Sequence, residues 1–266
     1  MELKPFGGFD KKIEAIFFDA GNTLITPQVS AVECYQGVLE KFGHDVSADD
    51  IRAIMPEVDQ IYVNCVDEDD TFWASSERCR DVWYKMYEHL TNRLGFHNQA
   101  PEIAREYYKT LDMPNIWRTF DDVIPALNQF KVAGLKLAVI SNWDIGLDKL
   151  LGPLGVLNYV DKLFPSAEIG LCKPYPEIYE YACKQMDVDF EHALMVGDNI
   201  NADCFGSRSC NMNAALVHHL GGSIGVTGTN RDLIDRCPDG AQVFASGEEE
   251  GIVYISSLMQ LVPFVC

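Results

Sequence analysis

Basic residues are scarce in this chain. Lys and Arg number 21 against 40 Asp and Glu, and the formal net charge is −19. Gripping a phosphate backbone takes clustered Lys and Arg, so nucleic acid is not expected as a partner. A small phosphorylated ligand remains open, because one divalent cation reverses the local field. No apolar run reaches the roughly 18 residues of a membrane-spanning helix, so no membrane span is expected. The opening stretch, Met1-Glu-Leu-Lys-Pro-Phe-Gly7, lacks the apolar region of a signal peptide. Cysteine is present but unpatterned. The nine are Cys34, Cys65, Cys79, Cys172, Cys183, Cys204, Cys210, Cys237 and Cys266. They include no Cys-x-x-Cys pair, and their number is odd. Neither a disulfide framework nor a zinc site is expected, and a reducing cytoplasmic setting fits. Internal repeats and low-complexity tracts are also missing.

What is present is an alternation of short apolar runs and helical patterns. The 266 residues suffice for one α/β domain plus an insertion. Residues 1–12 read as a polar lead-in, followed by a strand over 13–18. From about 28 to 115 the spacing turns helical, through Val32, Tyr35, Val38, Leu39 and Phe42, then Ile51, Ile54, Val58 and Ile61. Val82, Met86, Leu90 and Leu94 continue it, as do Ile103, Tyr107 and Leu111, with breaks expected at Gly43 and Gly95. Beyond Asp121 the spacing predicts strands over 135–140, 161–164, 193–196 and 214–217. Helices are expected between them, over 123–133, Leu147–Leu151, Pro176–Met186 and 202–210. Strands separated by helices imply right-handed βαβ units and a parallel sheet. The tail from Gly221 is rich in Gly and charge, and 252–261 reads as a closing helix.

Four places carry chemistry. Asp19-Ala-Gly-Asn-Thr-Leu24 follows the apolar run Ala15–Phe18, and a carboxylate at a strand end can act as a nucleophile. Ser141-Asn142 follows the strand over 135–140, where a hydroxyl and an amide can hold phosphate oxygens. Lys173-Pro-Tyr-Pro176 places an ammonium at a loop-to-helix junction. Gly197-Asp198-Asn199, with Asp203, follows another short strand and offers carboxylates to Mg²⁺. Each alone also reads as an ordinary cap, turn or solvated lysine. Together they fall in order at the strand ends of one parallel sheet, which converge on a single edge.

These stretches resemble the four motifs of the haloacid dehalogenase (HAD) superfamily, and the resemblance covers nearly the whole chain. Within subfamily I it is nearest the HAD-like hydrolase domain-containing and rhythmically-expressed-gene proteins. It implies a Rossmann-like parallel sheet with helices on both faces and an all-helical cap inserted after the first strand. The core would comprise 1–27 and 116–266, and the cap 28–115. It also implies Asp19 as nucleophile, Thr23 as support for its loop, and Ser141, Asn142 and Lys173 as phosphate contacts. Mg²⁺ would be held by Asp19, the Gly21 carbonyl and Asp198, with Asp203 as a further ligand or an anchor behind them. The family pattern is Asp-x-Asp-x-Thr, whose second Asp is the general acid and base. Here that position holds Gly21, which keeps the carbonyl and lacks the carboxyl. Such catalysis is worth about 10²–10⁴-fold.

The expected activity is a Mg²⁺-dependent phosphatase on a small phosphorylated metabolite, through an aspartyl-phosphate. Asp144 and the run Asp67-Glu-Asp-Asp70 are candidates for the missing acid, the run reading better as solvated surface. A 2-haloacid dehalogenase is the alternative, because halide leaves without a proton. A phosphonate-cleaving relative would need a cap lysine, and Lys41, Lys85 and Lys109 have no distinguishing context. A non-catalytic phosphate-binding protein is the third reading. Trp73, Trp83, Tyr84, Tyr87 and Phe72 read as packing within the cap, and His218-His219 as a polar strand end. Substrate and oligomeric state are left open.

Overall fold

The computed structural model describes residues 3–219, 240–245, 247 and 249–266. Among the described residues ten strands run in chain order. They are β1 (Leu3–Pro5), β2 (Ala15–Phe18), β3 (Ile25–Pro27), β4 (Trp117–Thr119), β5 (Lys136–Ser141), β6 (Lys162–Pro165), β7 (Ala193–Gly197), β8 (Asn213–Val217), β9 (Gln242–Phe244) and β10 (Val253–Ile255). Eight of them form one sheet in the order β1-β9-β10-β8-β7-β2-β5-β6. From β10 to β6 the pairing is parallel, and β9 and β1 close one edge antiparallel. The central strands are apolar on both faces because helices cover both. On one side α5 (Val123–Val132) and α6 (Leu147–Leu151) pack Leu127, Phe130 and Leu150 against Ile16, Phe18 and Val139. On the other, α7 (Pro176–Met186) packs Ile178, Tyr179 and Ala182 against Phe17, Ala138 and Met195.

Strand order reverses at β2, with β5, the next strand of this sheet in chain order, on one side and β7 on the other. The crevice at the carboxyl ends of such strands is where open α/β sheets take ligands. Above it lie α1 (Ala31–Lys41), α2 (Ala48–Asp69), α3 (Ser76–Arg93) and α4 (Ala100–Leu111), all inserted between β3 and β4. Their apolar faces make a core of their own around Tyr35, Leu39, Ile51, Met86, Leu90 and Ile103. Ser30 and Ser47 cap α1 and α2, each accepting a backbone N–H from the first turn. Gly43 and Gly95 sit at positive φ, 82° and 91°, and end α1 and α3 where the breaks were expected.

The insertion differs from expectation in its root. It follows an antiparallel ribbon in which β3 pairs β4, Ile25 opposite Thr119 and Pro27 opposite Trp117. The sheet strand that precedes this ribbon, β2, is the second in the chain, because Leu3–Pro5 inside the expected polar lead-in forms an edge strand on β9. The closing helix over 252–261 is also corrected. Ile252-Val-Tyr-Ile255 is a fully buried run rich in β-branched residues, and Val253–Ile255 pairs with β8 as a strand. Helix appears only afterwards, in a 3₁₀ turn at Leu258–Leu261 and the short α8 (Val262–Val265). Residues 220–239, Cys237 among them, and residues 246 and 248 fall outside the described residues. The other eight cysteines are free thiols. No helix among the described residues is long and apolar enough to cross a membrane.

Candidate functional site

Asp19 is the first residue beyond β2, and its N–H still donates to Val196 O at 2.9 Å, continuing the ladder with β7. The chain then turns tightly, with Leu24 and Ile25 N–H both donating to Ala20 O. This turn returns Gly21 and Asn22 to the edge of the crevice. Ser141, the last residue of β5, donates its hydroxyl to Asp19 Oδ1 at 3.0 Å. Lys173 Nζ donates to the same oxygen at 2.6 Å and to Asp203 Oδ1 at 2.5 Å. Asp19 Oδ2 makes no hydrogen bond or ion pair among the described residues, and Asp19 lines the cavity. One oxygen is thus anchored twice, which leaves the other for a reactant.

Lys173 is 3% exposed. Burial alone would lower its pKa, but Asp19 and Asp203 hold it above the usual lysine range, so it is a fixed cation. Its backbone is clamped by Asn142, whose Oδ1 accepts from Lys173 N–H and whose Nδ2 donates to Lys173 O, both at 2.8 Å. Asn142 was expected to touch phosphate. Its side chain is spent on positioning Lys173, because an amide carrying one donor and one acceptor matches a neighbouring peptide unit.

Asp203, expected as a further metal ligand or as an anchor behind the ligands, has both carboxylate oxygens engaged by protein groups. It lies in a single wide turn, Ile200–Phe205, whose backbone bonds skip to the fifth residue. Lys173 holds Oδ1, and the Asn199 N–H donates to Oδ2 at 2.9 Å. Both oxygens are engaged and the residue is fully buried, so Asp203 is the anchor of Lys173. Burial pushes its carboxyl up to about 6, against the pull of Lys173. Gly197 explains the close fit. A Cβ there would overlap the Asp203 carboxylate, so glycine is required for steric reasons.

Asp198 is 7% exposed and forms no ion pair among the described residues. Burial raises its pKa well above the carboxylate range, and the charges of Asp19 and Asp203 add to the shift. Three buried carboxylates share one ammonium, so the cluster lacks cationic charge. A hard cation with oxygen ligands supplies that charge, and Asp19, Asp198 and the Gly21 carbonyl are donors of the required kind. By donor chemistry these oxygens suit Mg²⁺, and no group of three or more His, Cys, Asp or Glu among the described residues is arranged as a metal site.

Thr23 does not reach the cavity. Its hydroxyl is buried with no partner among the described residues. Its carbonyl accepts from His219 Nε2 at 2.9 Å. His219 stacks on Phe120 at 3.8 Å, and its Nδ1 lies 3.5 Å from Asp122 Oδ1. His219 therefore braces the Asp19 loop from behind. Its position after the last expected strand was visible in sequence, but its partner lies 196 residues away in the chain.

The candidates for a substitute acid separate cleanly. Asp144 lines the cavity, but Oδ1 accepts from Ile145 N–H at 2.8 Å and Oδ2 from the Tyr108 hydroxyl. Asp69 and Asp70 are turned to Arg78 and Tyr175. Neither they nor Lys41, Lys85 and Lys109 line the cavity. Asp112, just past α4, does line it, and the sequence offered no signal for this carboxylate. The residue is open to solvent at one side. Desolvation of its carboxyl and the charge of Asp144 push it up to about 6.

The cavity holds about 370 Å³ between the strand ends and the inserted helices. Tyr62, Trp73, Trp83, Tyr87 and Tyr108 line it from the helical side, so Trp73, Trp83 and Tyr87, which read as packing in the sequence, also face the site. The two layers are tied by Ser166 Oγ to Trp73 O at 2.6 Å, Tyr175 Oη to Asp70 Oδ1 at 2.6 Å, and Tyr108 to Asp144.

A family model described as haloacid dehalogenase-like hydrolase matches residues 13–211. The chain is 36% identical over 115 residues to haloacid dehalogenase-like hydrolase domain-containing protein 3 of Homo sapiens, covering 43% of this chain and 46% of that protein. It is 34% identical over 107 residues to glyceraldehyde 3-phosphate phosphatase of Methanothermobacter thermautotrophicus, covering 38% and 45%. The chain thus spans about half the length of the curated relatives it matches. The solved structure of the HAD-hydrolase YfnB from Bacillus subtilis, bound to magnesium, aligns at a TM-score of 0.68 and 16% identity, covering 96% of this chain and 99% of that one. At that identity the likeness is one of fold.

Proposed function

The chain belongs to the haloacid dehalogenase-like hydrolase family, and from that premise we propose a Mg²⁺-dependent phosphatase acting on a small phosphorylated molecule in the cytoplasm. The observation that carries the reading is the Asp19 carboxylate, with Oδ1 held by Ser141 and Lys173 and Oδ2 left without a partner. Asp19 Oδ2 attacks phosphorus and the ester P–O bond breaks, giving an aspartyl-phosphate. Water then hydrolyses the acyl phosphate, releasing inorganic phosphate and restoring Asp19. Lys173 holds Asp19 Oδ1 and neutralises phosphoryl charge, while Ser141 orients the carboxylate. Asp203 and Asn142 hold Lys173 in place. Asp19, Asp198 and the Gly21 carbonyl would hold Mg²⁺, which when bound offsets the negative charge of carboxylates and phosphoryl group. We assign residues 28–115 to a cap domain and 1–27 with 116–266 to the core, the cap closing over the cavity to exclude water.

Gly21 specifically favours a second reading, carbon–halogen hydrolysis, in which the leaving group needs no proton. One preparation tests both. Phosphate release from a panel of phosphate esters and halide release from 2-haloacids are measured with Mg²⁺ and in EDTA. Phosphate release that EDTA silences and Asp19→Asn abolishes, with folding retained by circular dichroism, supports the phosphatase. Halide release undiminished in EDTA overturns it. Retention of most phosphatase activity in Asp19→Asn removes Asp19 as nucleophile.

A further inference from the structure

We infer that the alcohol portion of the ester accepted here is a flat aromatic group, not a sugar and not a chain ending in a second acid. The inference rests on the phosphatase reading and adds the substrate class. It begins at Gly21. Where a Cβ on residue 21 would stand, the nearest side chain is Trp143, with Cζ3 at 3.7 Å. The place of a proton-donating carboxyl is bordered by an indole. Trp143 meets Trp117 edge-on, with ring centres 5.6 Å apart at 65°. On the helical wall, Trp83 lies between Tyr62 and Tyr87, stacked at 5.9 and 6.0 Å with interplanar angles of 20° and 18°. All five line the cavity, and the three tryptophans are only half-buried although aromatic neighbours surround them. Ring surface is therefore presented to the cavity as well as packed within the walls. A volume of about 370 Å³ accommodates a one- or two-ring group beside a phosphoryl group.

The polar inventory points the same way. Each sugar hydroxyl taken from water needs a partner, and an unmet one is costly. Asp144 already accepts a hydrogen bond at each oxygen, Asn142 is committed to Lys173, and Asn199 Oδ1 accepts from the Asn201 and Ala202 N–H groups, which leaves few acceptors, Asp112 among them, for the several hydroxyls of a sugar. Among the described residues lining the cavity, Lys173 is the one Lys or Arg, while Asp59, Asp112 and Asp144 are carboxylates. A substrate with a second anionic end meets repulsion there. The chemistry of departure agrees as well. When Asp19 attacks phosphorus and the P–O bond breaks, the electron pair leaves on the ester oxygen. A phenolate, whose conjugate acid has a pKa of about 10 like tyrosine's, departs without a donor and takes its proton from water afterwards. An alkoxide, basic on the scale of hydroxide, needs the carboxyl that Gly21 lacks.

The test separates binding from turnover. Benzylphosphonate and methylphosphonate, which cannot be hydrolysed, are titrated calorimetrically into the full chain with Mg²⁺. Turnover of 1-naphthyl phosphate, glycerol 3-phosphate and phosphoglycolate is then compared. The expected result is benzylphosphonate binding at least ~10-fold tighter than methylphosphonate, as for apolar groups entering an apolar pocket. The kcat/KM for the naphthyl ester should exceed both others by ~100-fold or more. Trp83→Ala should narrow the ratio between the two phosphonates, and Trp143→Leu, a separate change in the core layer, should narrow it too. Equal affinity for the two phosphonates, or glycerol 3-phosphate or phosphoglycolate turned over as fast as the naphthyl ester, overturns the aromatic assignment and leaves the phosphatase standing. No phosphonate bound and no ester hydrolysed removes the phosphatase and this inference together.

Discussion

Lys173→Met tests the electrostatic logic of the site in the absence of any substrate. The ammonium bridges Asp19 at 2.6 Å and Asp203 at 2.5 Å in a buried setting, with Asp198 nearby. Its loss leaves three carboxylates with no buried cation. Removing one partner of a buried ion pair costs about 3–5 kcal/mol. The protein can limit the damage by protonating a carboxylate. From an unfolded value of 3.8, holding one neutral at pH 7.5 costs about 5 kcal/mol, and at pH 5.0 about 1.6 kcal/mol. The variant should therefore lose about 3–5 kcal/mol at pH 7.5 and less than about 2 kcal/mol at pH 5.0. The sign follows from proton uptake. Both folded proteins bind protons more tightly than the unfolded chain, since Asp198 and Asp203 are raised already, and removing Lys173 adds to that uptake, so the loss caused by the substitution grows as pH rises above 3.8. Urea unfolding of both proteins in EDTA, followed by tryptophan fluorescence at the two pH values, measures the difference. A loss below about 1 kcal/mol at pH 7.5, or one of equal size at both pH values, would refute the account of a charge-starved cluster.

The remaining expectations are shorter. Mg²⁺ should raise the thermal midpoint, and more at pH 7.5 than at pH 5.5, because the high pKa of Asp198 lets protons compete with the cation; Asp198→Ala should remove most of the shift. Gly197→Ala should cut turnover by ~10-fold or more without touching substrate, since its Cβ displaces Asp203 and with it Lys173; a variant with native kinetics would separate Lys173 placement from catalysis. Gly21→Asp should fold, because a Cβ there meets only Trp143 at ordinary contact distance, and should raise turnover of alkyl phosphates by ~10-fold or more with little effect on aryl esters. Equal native rates on the two ester classes with no gain from Gly21→Asp would assign the proton to another group. Asp112 is then the residue to change, since both Asp144 oxygens already accept hydrogen bonds.

The sequence by itself determined the order and kind of the elements near the site. Apolar runs between helical spacings fix a parallel sheet, because only strands covered on both faces are apolar throughout. Asp19, Ser141, Lys173 and Asp198 were legible as strand-end or helix-entry residues, and Gly21 as a missing carboxyl, because those are local facts of the chain. Helices α1 to α4 were legible because each has its own 3.6-residue apolar stripe. The burial of Val253–Ile255 as a strand was not, since a short apolar run has no period that separates strand from buried helix.

Only the tertiary structure decided what the polar side chains bind. Asp203 and Asn142 carry the same residue types as a metal ligand and a phosphate contact, yet both are consumed in holding Lys173, 30 and 31 residues distant in sequence. His219 reaches back to Thr23, and Tyr108 reaches down to Asp144, across separations that no spacing rule records. The aromatic character of the cavity was likewise invisible. A helical stripe states which residues turn inward, but an inward face is core or cavity wall according to whether another layer fills the space before it. Over the carboxyl ends of β2, β5 and β7, the layer opposite leaves a gap of about 370 Å³.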